Sequence, residues 1–217
     1  MDRQFSDRVE AGRVLAAHLE HLKDRSDLLV LGLPRGGVPV AKEVASALGA
    51  PLDVLVVRKL GAPGQPELAI GAIASGGVQV LSRELIEQLH VSASRLATEI
   101  EKQLKELDRR ERQYRGDRPF PDLEGKTLLV IDDGLATGST MEAAVRALRQ
   151  HEPRAIIVAV PVAPSHVSSS LLSAADEFIA VERPQNFMAV GQFYRRFDQT
   201  SDEQVRDILA AQTRSGK

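Results

Sequence analysis

The densest chemistry in the chain lies in one uninterrupted stretch, Leu128-Leu129-Val130-Ile131-Asp132-Asp133-Gly134-Leu135-Ala136-Thr137-Gly138-Ser139-Thr140. Its apolar opening reads as a buried strand, so Asp132 and Asp133 stand at the strand's carboxyl end. Two adjacent carboxylates can accept hydrogen bonds from a pair of sugar hydroxyls and oppose positive charge developing on a sugar ring. The small, hydroxyl-rich loop that follows runs into a helical pattern. Backbone N–H groups at a helix start, with the hydroxyls of Thr137, Ser139 and Thr140, can surround a phosphate monoester, and Gly138 lets the backbone come close. The stretch therefore predicts a site that grips a sugar phosphate by both ends. The plain alternative is a turn at Asp133-Gly134 and a helix cap at Thr137 to Thr140. That alternative leaves the order of strand, acid pair and cradle without a reason. Other phosphate loops fit worse: the Walker A lysine is absent, and Gly134 to Gly138 lacks the Gly-x-Gly-x-x-Gly spacing of dinucleotide folds.

Such residues need a sheet to hold them. Apolar runs at Leu28–Leu33, Leu52–Val57, Leu128–Ile131 and Ala155–Val160 are rich in Val, Ile and Leu and too short for helices. Between them, Val38 to Leu48 has Pro39 early and Gly49 just past its end, and Met141 to Arg149 has apolar residues at helical spacing. Strand, turn and helix repeated in this way predict an α/β domain around a mostly parallel central sheet flanked by helices. Ligands of such sheets sit at the carboxyl ends of the strands. A helix over about 7–22 and another opened by Ser201, with Gln204 as its capping partner, flank the core, and neither carries obvious chemistry. A helical stretch from Ser82 to Arg115, broken near His90-Val91-Ser92, reads as an insertion. Its basic face is balanced by pairs such as Glu101/Lys105 and Glu106/Arg110.

The segment from Leu128 to Thr140 resembles the 5-phosphoribosyl 1-pyrophosphate (PRPP) signature of the type I phosphoribosyltransferases, and the resemblance extends over about 28–162. It implies that Asp132 and Asp133 bind the ribose and its magnesium ion, and that Ala136, Thr137, Gly138, Ser139 and Thr140 bind the 5-phosphate. It also directs attention to Leu33-Pro34-Arg35-Gly36-Gly37, where family members have a pyrophosphate loop, often with a strained peptide bond. Arg35 would be its cation, and Gly36 and Gly37 would free its backbone. Arg58 and Lys59 resemble the basic pair before a mobile loop that closes over PRPP. Arg58 would then meet pyrophosphate, Lys59 would be catalytic, and 61–77 would move. A surface basic pair before a loop is the plain alternative. Glu67 is a conceivable proton donor, although a helix-cap role suits it better. The last part, about 176–217, is expected to form a hood over the acceptor. Phe193 and Tyr194 there, with Phe187 and Phe197 nearby, would either stack on a planar base or build a small core for the hood.

The implied reaction is transfer of the phosphoribosyl group to a nitrogenous acceptor with release of pyrophosphate; the rival is a non-catalytic PRPP or nucleotide sensor. Ala136, in the place where hypoxanthine-guanine enzymes have an acid, disfavours a six-oxopurine acceptor. Gly134 replaces the usual branched residue after the acids, which would loosen the loop.

Composition bounds the rest. Twenty-eight basic and thirty acidic residues give a net charge of -2, so no global cationic field attracts nucleic acid, and any anion site must be local. The longest apolar stretch, Ala155–Ala163, is half what a bilayer needs, and the first residues lack a basic and apolar leader, so neither a membrane nor a secretory route is expected. The absence of cysteine excludes disulfides and fits a cytoplasmic place. His18 and His21 share a helix face without partners that would complete a metal set, and His166 falls near the presumed site mouth. One domain, 1–217, accounts for the chain, and homo-oligomerisation is left open.

Overall fold

A computed structural model describes residues 3–215. The chain runs α1 (Arg8–His18), β1 (Leu28–Gly32), α2 (Gly37–Leu48), β2 (Leu52–Val54), β3 (Val57–Ala62), β4 (Gln65–Ala74), β5 (Val78–Leu81), α3 (Arg83–Gln88), α4 (Ala93–Arg115), β6 (Thr127–Ile131), α5 (Ser139–Arg149), β7 (Ala155–Val162), α6 (Ser169–Ala174), β8 (Glu177–Glu182) and α7 (Asp202–Ser215). Five strands form one parallel sheet in the order β2-β1-β6-β7-β8. Its central strands β1, β6 and β7 are apolar on both sides because both faces are covered. Leu28, Val30, Leu129, Ile131, Ile157 and Ala159 pack with α1 and α2. The alternate residues Leu29, Leu31, Leu128, Val130, Ile156 and Val158 pack with α5 and α6. Period-two alternation thus feeds two cores from the same strands.

Two expectations are corrected. The run Leu52–Val57 is not one strand. After Val54 the chain leaves the parallel sheet: the Leu55 N–H still bonds to the Gly32 carbonyl at 3.0 Å, but the Val56 N–H goes to Ser75 Oγ at 3.0 Å. From Val57 the chain enters a separate antiparallel sheet, β3-β4-β5. The segment 61–77, expected as a loop, is therefore mostly hairpin, and the glycine- and proline-rich turn spans only 62–65. Small residues such as Ala69, Gly71 and Ala72 hide this strand from an apolarity pattern. Gly71 in particular must be small, since a Cβ there would lie 2.4 Å from the Val80 carbonyl oxygen. Secondly, 177–182 is not hood but the edge strand of the main sheet, paired in parallel with β7.

The helical insertion breaks where its sequence predicts, between α3 and α4, and carries the expected Glu101–Lys105 and Glu106–Arg110 pairs at 2.7 and 2.8 Å. It is also anchored. Arg115 is 5 % exposed and donates to Asp53 Oδ1 at 3.0 Å and to the Val54 carbonyl at 2.7 Å, which fastens the end of α4 to β2. Replacing Arg115 by Met leaves Asp53 buried without its cation. The expected loss is about 3–5 kcal/mol of unfolding free energy, the range for breaking a buried pair from one side. Urea unfolding of the Arg115→Met variant checks this; a loss below about 1 kcal/mol, the range of an exposed pair, would show that Arg115 does not anchor the insertion.

Candidate active site

The order of the parallel sheet reverses direction between β1 and β6, the place where such sheets open a crevice at their carboxyl ends. Gly32 is paired with Ile131, and the Leu33 N–H bonds to the Ile131 carbonyl at 2.9 Å. The loops that leave these two strands, Leu33 to Gly37 and Asp132 to Gly138, are thereby pressed together. The contact admits no side chain at positions 36 and 37. A Cβ on Gly36 would fall 2.0 Å from Asp133 Oδ2, and one on Gly37 would fall 2.6 Å from the Ile131 carbonyl oxygen and 2.8 Å from Asp132 Cα. These glycines serve close approach, whereas the sequence suggests only conformational freedom. The Pro34–Arg35 peptide bond is cis. Gly36 and Gly138 are the N-caps of α2 and α5 and offer no side chain to cap them, while Thr137 Oγ1 accepts the Ser139 N–H at 3.5 Å. Two helix N-termini, each with N–H groups and a positive dipole end, therefore flank the acid pair.

The acids differ from one another. Asp132 Oδ1 accepts the Asp133 N–H at 2.9 Å, and no side-chain cation is bonded to Asp132 among the described residues. Burial, and after it the neighbouring Asp133 carboxylate, push the Asp132 carboxyl well above the usual carboxylate range. Burial raises Asp133 as well, opposed by Arg8. Arg8 places Nε and Nη2 each 2.8 Å from Asp133 Oδ2, and its Nη1 donates to the Asp198 carbonyl at 2.6 Å. The N-terminal helix, which shows no chemistry in its sequence, thus supplies the cation that pairs with the acids. No local signal marks Arg8, because its partner is 125 residues away.

The aromatic cluster is the small core, not a stacking platform. Phe193 and Tyr194 are 3 and 4 % exposed. Phe193 stacks on Phe187, Tyr194 packs on Phe5 and Phe197, and the Tyr194 hydroxyl donates to the Asp133 carbonyl at 2.5 Å. Their rings are spent inside the protein, so the expectation that they bind the acceptor is corrected: Tyr194 touches the site through its hydroxyl. The space beside Gly134 is not loose either. A Cβ there would meet Val190 Cγ1 at 2.5 Å, so the valine fills the place of the missing side chain.

Alternation along β3 separates the basic pair. Lys59 points to the cradle and donates to Ser139 Oγ at 2.6 Å, and Ser139 Oγ lies 3.1 Å from Thr137 Oγ1. Arg58 points the other way and donates to Gln103 Oε1 on α4 at 2.9 Å. Arg58 is thus engaged by α4 and is turned away from the hydroxyl loop that Lys59 meets. Arg35 is partly exposed, and the carboxylate nearest it, Asp202, is 4.0 Å away. Ala136, Thr137, Ser139 and Thr140 are exposed at the rim, while Gly138 is buried beneath them with φ +78°. The Glu67 side chain lies outside the described residues. His18 Nδ1 lies 3.0 Å from the Val14 carbonyl, and His21 and His166 are exposed; none approaches the acids.

Comparison with known proteins agrees with this geometry. The chain matches the phosphoribosyl transferase domain family over residues 7–169. It is 48 % identical over 205 residues to "Putative phosphoribosyl transferase Rv0571c" of Mycobacterium tuberculosis, covering 94 % of this chain and 46 % of that protein. The chain therefore spans about half the length of the curated relatives it matches. The crystal structure of TT1426 from Thermus thermophilus superimposes with a TM-score of 0.84 at 43 % identity, covering 96 % of this chain and 98 % of that one. A Neisseria gonorrhoeae protein solved with bound ppGpp shares the fold at a TM-score of 0.51 and 13 % identity, over 100 % of this chain and 99 % of that one. With the match covering most of its length and the acid pair and hydroxyl loop standing at the switch point of its sheet, the chain belongs to the phosphoribosyl transferase domain family.

Proposed function

We propose that the chain binds PRPP with magnesium and transfers its phosphoribosyl group to a nitrogenous acceptor, releasing pyrophosphate. One observation carries this reading: two helix N-termini with glycine at the cap position flank a carboxylate pair, with no room for side chains at Gly36 and Gly37 between them. A phosphate at each helix start with a ribose across the acids is the ligand such an arrangement suits.

In this reading the 5-phosphate takes the N–H groups and hydroxyls of Ala136 to Thr140, and Lys59 supplies the charge above them. Its bond to Ser139 favours this end of the ligand over the catalytic, pyrophosphate-neutralising role suggested by its sequence position. The ribose hydroxyls donate to the acid pair, chiefly to Asp132, since Arg8 already occupies Asp133 Oδ2. Pyrophosphate rests on the Gly36 and Gly37 backbone at the start of α2, with Arg35 beside it. The acceptor nitrogen brings its lone pair to C1 as the C1–O bond breaks, and that bond's electron pair leaves with pyrophosphate. Positive charge on the ring in between is opposed by the carboxylates below it. The acceptor then loses its extra proton to water.

The residues fit a magnesium ion that arrives with its ligand. No group of three or more His, Asp or Glu suited to a metal exists among the described residues, and magnesium is ordinarily held by one or two carboxylates plus substrate phosphates. Asp132, half-buried and without a bonded cation among the described residues, is the first candidate, with Asp133 beside it. When bound, the ion would screen the charge of the departing pyrophosphate.

Two expected outcomes test this reading. Calorimetry should show magnesium-dependent PRPP binding, and pyrophosphate should be released with at least one member of a panel of purines, pyrimidines and simple amines, adenine first. Tight PRPP binding with no release across the panel would favour the sensor. Secondly, Lys59→Met should raise the PRPP dissociation constant about tenfold, as expected for losing a charge-assisted hydrogen bond, while Arg58→Met should leave it unchanged. Equal effects of the two substitutions would contradict the division of labour along β3.

A further inference from the structure

Behind Gly36 sits a charge that bears on everything the first loop can hold. A Cβ on this glycine would lie within 2.0 Å of Asp133 Oδ2 and 3.2 Å of Arg8 Nε, so the Arg8–Asp133 pair is in contact with the backbone assigned to pyrophosphate. A bare carboxylate at that distance repels an arriving polyanion. Arg8 sets two guanidinium nitrogens on that same oxygen. The guanidinium is also held from two other sides, by the Asp198 carbonyl and by the Phe197 ring, whose centroid is 4.0 Å from its central carbon. The side chains of Arg8 and Asp133 are 12 and 15 % exposed, so solvent ions screen the pair weakly. Fixed in this way, Arg8 cannot turn to the ligand. Its influence must pass through Asp133.

We propose that Arg8 is a positioning residue of the phosphoribosyl site. It neutralises the carboxylate behind Gly36, so that the loop of Gly36 and Gly37 accepts pyrophosphate, and it leaves Asp132 as the acid that meets the ribose with no protein cation upon it. The inference rests on the phosphoribosyl-transfer reading and adds to it an asymmetry between the two acids.

The test is a double-mutant cycle read as PRPP affinity and as turnover at saturating PRPP, in magnesium and with an acceptor found in the panel. Arg8→Gln should weaken PRPP binding about tenfold or more through the uncovered charge, with kcat within about threefold. Arg8→Lys, which keeps the charge, should recover most of the affinity. In an Asp133→Asn background, adding Arg8→Gln should weaken binding by less than about threefold, because no carboxylate remains to be neutralised. Equal weakening in both backgrounds, or a loss confined to kcat with no rescue by lysine, overturns the proposal. If Arg8→Gln alone does not fold, the double variant, which leaves no unpaired charge at positions 8 and 133, decides. Affinity within about threefold of Asp133→Asn supports the role, and lost affinity overturns it. Failure of the unaltered chain to bind PRPP at all would instead bring down the phosphoribosyl reading, and this role with it.

Discussion

The parallel pairing of Gly32 with Ile131 is the contact on which the site depends. It brings the ends of two strands together at the point where the sheet reverses its order, and it forces the loops beyond them into van der Waals contact. Only glycine satisfies that contact at 36 and 37. The acid pair, the start of α2 and the start of α5 then open on the same crevice, in a place where sheet geometry already exposes N–H groups and strand ends. The two cores on either side of the sheet hold β1 and β6 in register, so loop placement is inherited from burial rather than from the loops' own stability.

Charge is managed at two levels. Across the chain it nearly cancels, and along α4 it is laid out in exposed pairs that contribute little each. At the site it is concentrated: Asp132 and Asp133 are adjacent and half-buried, and one cation, from the first helix, covers one of them. Arg8 is held by Asp198 and Phe197, and the Tyr194 hydroxyl fastens the Asp133 backbone. The first turn of α1 and the segment 194–198 thus act together as a brace on β6. The bridge between Phe5 and Tyr194, with the Phe5 N–H bonded to the Phe193 carbonyl, joins these two ends of the chain directly.

Much of this was legible in the residues. The central strands of the main sheet announce themselves by unbroken apolar runs, and the start of α5 by small and hydroxyl residues after two acids, because burial on both faces and phosphate-sized loops each demand a narrow set of residue types. Gly49 just past α2, at φ +66°, and the Ser201–Gln204 cap of α7 are equally local signals and are realised. Legibility ends where the cause is tertiary. The hairpin of β3 and β4 is built from small residues whose strand character comes from packing. The edge strand β8 is only half-buried and alternates weakly. Phe193 and Tyr194 are visible as aromatic, but the Tyr194 ring is packed by Phe5, 189 residues earlier, and the Phe193 ring by Phe187. Arg8 carries no local mark at all.

A crystal structure of the chain grown with PRPP and magnesium tests the central claim most directly. The account predicts the 5-phosphate on the N–H groups of Ala136 to Thr140, the ribose hydroxyls on Asp132, and pyrophosphate against Gly36 and Gly37 with Arg8 still on Asp133. PRPP lodged elsewhere, for instance in the cleft of about 520 Å³ between α1, α2 and α7 that Lys42, Arg196 and Asp207 line, would contradict it. So would pyrophosphate bound to Arg8 after its release from Asp133.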